Sequence, residues 1–340
     1  MSGSLHDWLE PGAHRVAPGV HRIPLPLPND GLRAVNVYAI EDGDRLVLID
    51  AGWALPESRD RLRSGLAHIG AALSDISRVL VTHAHRDHYT QAVALRREFG
   101  VRVSLGRGEQ ANIRGLCRPD RVPLAKQEEL LGFCGAKPVR DALVATREPV
   151  SRQHLWEEPD DWIAAPGEIE LVDRRLRAVP TPGHTQGHLV FLDQENGLLF
   201  AGDHVLPHIT PSIGFEQEPG DAPLRDYLSS LQLVHQLPDA RLLPAHGPVT
   251  DSVHQRVAEL LEHHENRLAE TETAVRGGAA TAYEAARALP WTRRGRPFSD
   301  LDVFNQMLAV LETAAHLDVL VLRNRLRKET ADDVVRYVLP

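Results

Sequence analysis

Residues 81–92 read VTHAHRDHYTQA and place His83, His85, Asp87 and His88 within six positions, directly after the apolar run Val79-Leu80-Val81. Imidazole nitrogens and carboxylate oxygens are the ligands that zinc and similar first-row ions prefer. In an extended segment alternate side chains share a face, so His83 and His85 point the same way. Once the chain turns, Asp87 and His88 face a second point nearby, and the pattern HxHxDH has the composition of half of a two-metal site. Three later segments offer the other half. They are Thr181-Pro182-Gly183-His184-Thr185, Leu199-Phe200-Ala201-Gly202-Asp203 and Leu243-Pro244-Ala245-His246-Gly247. Each closes an apolar run expected to be a strand. Taken alone, His184 or His246 reads as a turn residue capping its own loop; together with HxHxDH that reading fails. The chain has 18 histidines, so most of the others must be ordinary.

The elements that must position these residues follow from periodicity. Gly19 to Leu27 and Arg33 to Ile40 read as strands, and Asp42-Gly43-Asp44 as a hairpin turn into Arg45 to Asp50. Pro56 to Ile69 has helical spacing, and Val79 to Val81 is a short buried strand. A helix from about Tyr89 to Phe99 is stopped by Gly100 and followed by a strand, Val101 to Leu105. Residues 107–165 carry Pro119, Pro123, Pro138, Pro149 and Pro159 between short helical pieces such as Lys126 to Phe133, an excursion rather than a core layer. Strands are expected again at Glu168 to Val179 and His188 to Asp193, with a turn at Glu195-Asn196-Gly197 into Leu198 to Ala201. From about Ser252 the pattern is helical through Arg276, broken at Gly277-Gly278, then helical at Ala282 to Leu289 and Leu301 to Arg323. Val334 to Leu339 closes as a strand.

Composition narrows the functional classes. A chain of 340 residues with 42% apolar content can bury a substantial core as one large domain or one large and one small domain. A net charge of −9 argues against a generally basic nucleic-acid surface. The start, MSGSLHDWLEPGAHR, lacks a basic end followed by an apolar stretch, and no apolar run is long enough to span a bilayer, so a cytoplasmic protein is expected. Cys117 and Cys134 do not form a CxxC pair, which argues against a disulfide scaffold or a cysteine zinc cage.

With the seven ligand-type residues in order, the chain resembles the metallo-β-lactamase fold superfamily of metallohydrolases over residues 15–250. The resemblance implies an α+β fold, a four-layer αββα sandwich with two metals at one edge of the paired sheets. It implies that His83, His85 and His184 hold the first ion, that Asp87, His88 and His246 hold the second, and that Asp203 bridges them. Two divalent ions, zinc first and iron or manganese as alternatives, would share a water and present a metal-bridging hydroxide to an electrophilic carbon. Asp87 would also shuttle a proton to the leaving group. Asp50 resembles the family's acid that braces the metal loop, although an ordinary Asp-Gly turn explains it equally well. His188 reads as packing support, His204 and His208 as pocket-lining candidates but not ligands, and Tyr89 as the first packed residue of its helix.

Departures from the family pattern sharpen the expectation. Glycines commonly follow the DH in relatives, whereas Tyr89-Thr90-Gln91 follows it here. The exported β-lactamases of this fold lack the bridging Asp. Flavodiiron oxygen reductases carry Glu at the position of His85, and the nuclease branch with a large cap needs more sequence. We therefore read residues 1–250 as the catalytic domain and 251–340 as a small helical domain, resembling the winged-helix-like appendage of a glyoxalase II-like branch that also includes a mitochondrial endoribonuclease. Residues 279–340 contain nine Lys plus Arg against eight Asp plus Glu, a net of +1, so docking, pocket closure or a homodimer contact is a stronger reading for the tail than DNA binding. Only Arg293-Arg294-Arg296 and Arg323-Arg325-Arg327-Lys328 are locally basic there.

Three functions remain open at this point. The favoured one is hydrolysis of a small carbonyl substrate such as a thioester, lactone or ester, with the excursion and the tail as pocket walls and Trp156, Trp162 or Phe215 lining an apolar slot. The alternatives are an endoribonuclease with the same two-metal centre and a mononuclear iron sulfur dioxygenase.

Overall fold

The computed structural model describes residues 7–28, 31–146, 156–292 and 295–340. Pro149 of the excursion and Arg293 and Arg294 of the tail lie outside them. The first sheet has seven strands: β1 (His14–Ala17), β2 (Val20–Pro26), β3 (Ala34–Asp42), β4 (Arg45–Ile49), β5 (Ile76–Val81), β6 (Arg102–Gly106) and β7 (Asp161–Ile163). They lie in sequence order, antiparallel through β4 and parallel from β4 to β7. Helices α1 (Pro56–His68) and α2 (Arg86–Phe99) supply the crossovers that parallel neighbours require. After β6 come α3 (Gln110–Cys117), α4 (Ala125–Phe133) and α5 (Lys137–Ala145).

A second sheet follows, built from β8 (Gly167–Glu170), β9 (Arg175–Pro180), β10 (Leu189–Asp193), β11 (Leu198–Gly202) and β12 (Arg241–Pro244), with α6 (Pro223–Gln236) between β11 and β12. The chain ends in α7 (Val253–Arg276), α8 (Ala282–Ala288), α9 (Val303–Leu322) and the hairpin β13 (Arg327–Ala331) and β14 (Val334–Val338).

Strand alternation makes the layers. On β4, Val47 and Ile49 join Leu189, Phe191, Leu198 and Phe200 of the other sheet in one apolar layer, while Leu46 and Leu48 point the other way onto α1 and α2. On β10, Val190 and Leu192 turn outward into a third cluster with α6 and α7. The architecture is thus helix, sheet, sheet, helix, the αββα sandwich that the resemblance implies. The third cluster does not stop at α7: it runs unbroken from Leu192 and Leu199 through Leu260 and Leu268 to Leu317, Leu320 and Tyr337 of the tail.

Side-chain caps start the three C-terminal helices. Ser252 Oγ accepts the Gln255 amide at 3.1 Å to start α7, Thr281 and Glu284 form a reciprocal capping box for α8, and Asp302 caps α9. Gly100, at φ 70°, ends α2.

Several expectations need correction. Helix α2 begins at Arg86 rather than near Tyr89, because the extended residue His85 takes the N-cap position; Asp87 and His88 therefore project from its first turn. Residues 168–179 form a hairpin rather than one strand, with Leu171 N–H donating to the Arg174 carbonyl at 2.9 Å. The excursion contributes to a core layer after all, since β7 extends the first sheet and Ile163 enters the inter-sheet cluster. Helix α6 was not anticipated, although Leu224, Tyr227, Leu228, Leu231 and Val234 recur on one face. Nor was β13, whose five residues are all exposed and show no strand alternation. Among the described residues, no helix is long and apolar enough to cross a membrane.

Candidate metal centre

All seven ligand-type residues meet at one edge of the two sheets. The loop after β5 brings His83 and His85, the first turn of α2 brings Asp87 and His88, and loops after β9, β11 and β12 bring His184, Asp203 and His246. Among the described residues two donor groups result. Ligand atoms of His83, His85, His184 and Asp203 lie within 4.8 Å of one another, and those of Asp87, His88 and His246 likewise.

Asp203 faces both groups, one oxygen to each. Its Oδ2 is 3.4 Å from His184 Nε2 and 4.0 Å from His83 Nε2, whereas Oδ1 is 3.3 Å from His246 Nε2 and 3.6 Å from His88 Nε2. Asp87 Oδ2 closes the second group at 3.6 Å from His88 Nε2 and 3.5 Å from His246 Nε2.

Outer hydrogen bonds fix which ring nitrogen turns inward. His184 Nδ1 faces the Ser212 carbonyl at 2.7 Å and His246 Nδ1 the Ala34 carbonyl at 2.7 Å, so each of these nitrogens must donate. His88 Nδ1 donates to Asp50 Oδ2 at 2.8 Å. His83 Nδ1 meets the Thr82 hydroxyl at 3.0 Å, and that hydroxyl lies 3.0 Å from Asp50 Oδ2. Four imidazoles therefore turn Nε2 inward, while His85 turns Nδ1 inward, at 2.9 Å from His83 Nε2 and 3.1 Å from His184 Nε2. A tetrahedral ion at about 2.05 Å from each nitrogen would set such nitrogens roughly 3.3 Å apart, close to this spacing. His88 Nε2, His246 Nε2 and Asp203 Oδ1 are buried with no hydrogen-bond partner. What sets these three apart from other orphaned atoms is that both nitrogens face Asp203 Oδ1, at 3.6 and 3.3 Å, so one cation would satisfy them together.

Electrostatics divides the two groups. Burial and neighbouring histidines hold His83 well below the usual imidazole range, and burial with His184 brings His85 down to about 3. Burial also lowers His184. These three are neutral imidazoles, the form a metal needs. Burial alone would lower His88 too, yet Asp87, Asp50 and Asp203 raise it to about 10. Asp203 is held far below the usual carboxylate range by His246, His88 and His184, against the effect of burial. The field that favours a proton on His88 equally favours a cation among Asp87, His88 and His246.

Supporting residues emerge that the sequence left undecided. Asp50 is the brace rather than a plain turn residue. Held at φ 59°, it accepts the Thr82 amide at 2.8 Å with Oδ1 and the His88 ring with Oδ2. His188 does more than pack: its Nε2 accepts the Asp203 amide at 3.2 Å, and its ring stacks 5.0 Å from His83. Gly202, at φ 50°, lets the backbone pass between them, since an added Cβ would lie 2.7 Å from His188 Nε2 and 2.8 Å from Thr82.

His204 is buried against Tyr227 and His188, and neither it nor half-buried His208 belongs to a donor group. Tyr89 is fully buried and donates to the Glu157 carbonyl at 2.7 Å, so it packs. Of the three aromatic candidates, only Phe215 is in ring contact with the cluster of ligand-type residues, 6.2 Å from the His85 ring. Trp156 stacks on Tyr89, and Trp162 packs against the outer face of the first sheet. Thr82 and the carbonyls of Ser212 and Ala34 went unnoticed in the sequence, the last two because a main-chain acceptor leaves no trace in residue type.

The metallo-beta-lactamase superfamily model matches residues 30–246. "Lactamase-like protein nscB" of Neosartorya fischeri is 29% identical over 70% of this chain; the match spans only 55% of that relative, so the chain accounts for about half its length. "Probable metallo-hydrolase YqjP" of Bacillus subtilis is 26% identical over 88% of this chain and 90% of its own. "Atrochrysone carboxyl ACP thioesterase" of Aspergillus fumigatus is 27% identical over 72% of this chain and 45% of its own. Among solved structures, a metallo-beta-lactamase family protein from Thermus thermophilus superposes with a TM-score of 0.78 at 26% identity, covering 96% of this chain and all of that one. The chain belongs to the metallo-beta-lactamase superfamily.

Proposed function

We propose that this superfamily member is a two-metal hydrolase of a small carbonyl substrate, a thioester, lactone or ester, with zinc as the first choice of ion. The observation that carries the reading is the split carboxylate of Asp203, whose two oxygens face different histidine groups. His83, His85 and His184 would hold one ion, Asp87, His88 and His246 the other, and Asp203 would lie between. When bound, such a pair supplies an acidified water and an electrophilic pole for a carbonyl oxygen.

The chain's own residues do the rest. Asp50, Thr82, Ser212 and Ala34 hold four imidazoles in one tautomer and orientation, so the donors need little rearrangement. Asp87 is the most open carboxylate of the cluster, its side chain 15% exposed against 9% for Asp203. Burial would raise its carboxyl, but His88 and His246 hold it below the usual carboxylate range, so it stands ionised and would carry a proton only in passing it to a departing thiolate or alkoxide.

Two further observations weigh against the other readings. A mononuclear dioxygenase would leave the Asp87, His88 and His246 group without a purpose. For an endoribonuclease, the basic run of the tail is poorly placed to bind phosphate, because Arg323 pairs with Glu265, Arg325 with Glu272 and Lys328 with Asp318. The thioesterase among the relatives supports acyl transfer to water. The test is metal analysis of the purified chain, followed by assay against acyl thioesters, p-nitrophenyl esters, homoserine lactones and a short RNA. Close to two zinc ions per chain with acyl hydrolysis is the expected result. One iron with oxygen uptake, or cleavage of RNA alone, would overturn it.

A further inference from the structure

The segment Ser212 to Glu216, between β11 and α6, joins three parts of the chain that are distant in sequence. The Ser212 carbonyl holds the outer nitrogen of His184 at 2.7 Å. Gly214, at φ 84°, lies against the main chain of α9, where an added Cβ would be 3.8 Å from the Leu311 carbonyl oxygen. The Glu216 carbonyl accepts from Gln127 of α4 at 2.7 Å, and its carboxylate accepts the Gln186 amide at 2.8 Å.

Between these anchors stands Phe215. Its ring lies 6.2 Å from His85 on one side and 5.5 Å, edge to face, from Phe304 on the other. Helix α9 buries Met307, Val310, Leu311 and Leu317, yet leaves Phe304 in its first turn 43% exposed. A phenyl ring left in water, one ring removed from the cluster, is surface that an apolar group would cover favourably.

Resting on the hydrolase reading above, we propose that Phe215 and Phe304 form an aromatic shelf for the apolar acyl portion of the substrate, so that a residue of the C-terminal segment selects acyl length. With the carbonyl at the cluster, the chain runs outward past Phe215 and reaches Phe304 only if it is longer than butanoyl. The rings meet at 78°, presenting an edge and a face rather than the parallel platform that stacked bases use.

The experiment measures kcat/KM of the zinc-loaded full chain on butanoyl, hexanoyl, octanoyl and decanoyl thioesters, for wild type, Phe304→Ala, Phe304→Leu and Phe215→Ala. Phe133→Ala, which removes another exposed aromatic outside the shelf, serves as the control. Calorimetric binding of butanoate and decanoate to the same proteins supplies a readout independent of turnover. A methylene covered by the shelf raises kcat/KM by up to about fourfold in wild type. Phe304→Ala lowers the decanoyl-to-butanoyl ratio about tenfold and weakens decanoate binding, Phe304→Leu restores much of both, and Phe133→Ala changes neither.

An unchanged ratio and unchanged decanoate affinity in Phe304→Ala overturn the shelf, whatever the activity. Absent acyl hydrolysis with decanoate binding still dependent on Phe304 keeps the shelf and rejects the hydrolase reading.

Discussion

One carboxylate, that of Asp50, ties the two halves of the HxHxDH segment together: Oδ2 accepts the His88 ring N–H at 2.8 Å while Oδ1 accepts the Thr82 amide at 2.8 Å, beside His83. His83 belongs to one donor group and His88 to the other, so a single side chain outside both groups sets their relative orientation. Removing such a partner commonly weakens metal binding 10- to 100-fold. In Asp50→Ala we expect zinc affinity at the His88 group to fall within about that range, measured by competition with a chromophoric chelator, while the His83 group falls less. Equal affinities in wild type and variant would remove Asp50 from this role.

Asp203→Ala takes away the oxygens that both groups face. The expected outcome is less than two metals per chain by elemental analysis and loss of most turnover. Asp203→Asn, which keeps shape but loses charge, should fall between. Full metal content with undiminished activity in the alanine variant would mean that Asp203 is no bridge.

Gly202→Ala tests the tightness behind the site. The new methyl group would meet His188 and Thr82 at under 3 Å on a backbone with φ 50°. Left-handed strain of about 1–2 kcal/mol and overpacking of about 1–3 kcal/mol together predict a loss of about 2–5 kcal/mol. Urea unfolding measures it, and a variant as stable as wild type would show that the backbone there relaxes freely.

Glu216 carries a pH prediction. Burial, and then the facing Glu109 carboxylate, raise its pKa from 4.5 to about 9. Between those values the native chain keeps a proton that the unfolded chain has released. The unfolded state therefore binds fewer protons, and stability falls as pH rises. In Glu216→Gln that contribution disappears. Melting temperature should decline less steeply from pH 5 to pH 9 in the variant than in wild type, and superimposable slopes would refute the assignment.

Much of this site was legible from the chain alone, for a physical reason. Metal ligation would demand particular residue types, and strands that end at one sheet edge deliver them in short, recognisable segments; that His83, His85, Asp87, His88, His184, Asp203 and His246 converge could be expected before any fold was known. The unbroken apolar runs of β4 and β10 likewise imply strands buried on both faces, and Ser252, Thr281 and Asp302 carry the short polar side chains that cap helix starts. What the tertiary structure alone decided depends on contacts between residues far apart in sequence. Asp50 became a brace, rather than a turn residue, because β4 lies beside β5. His188 acquired a role because the backbone of Asp203 passes over it. Phe304 meets Phe215, and Phe215 meets His85, through contacts that no local pattern encodes. Ligand type is written locally, whereas the orientation of each ligand and the wall a substrate meets are set by which surfaces the folded chain presses together.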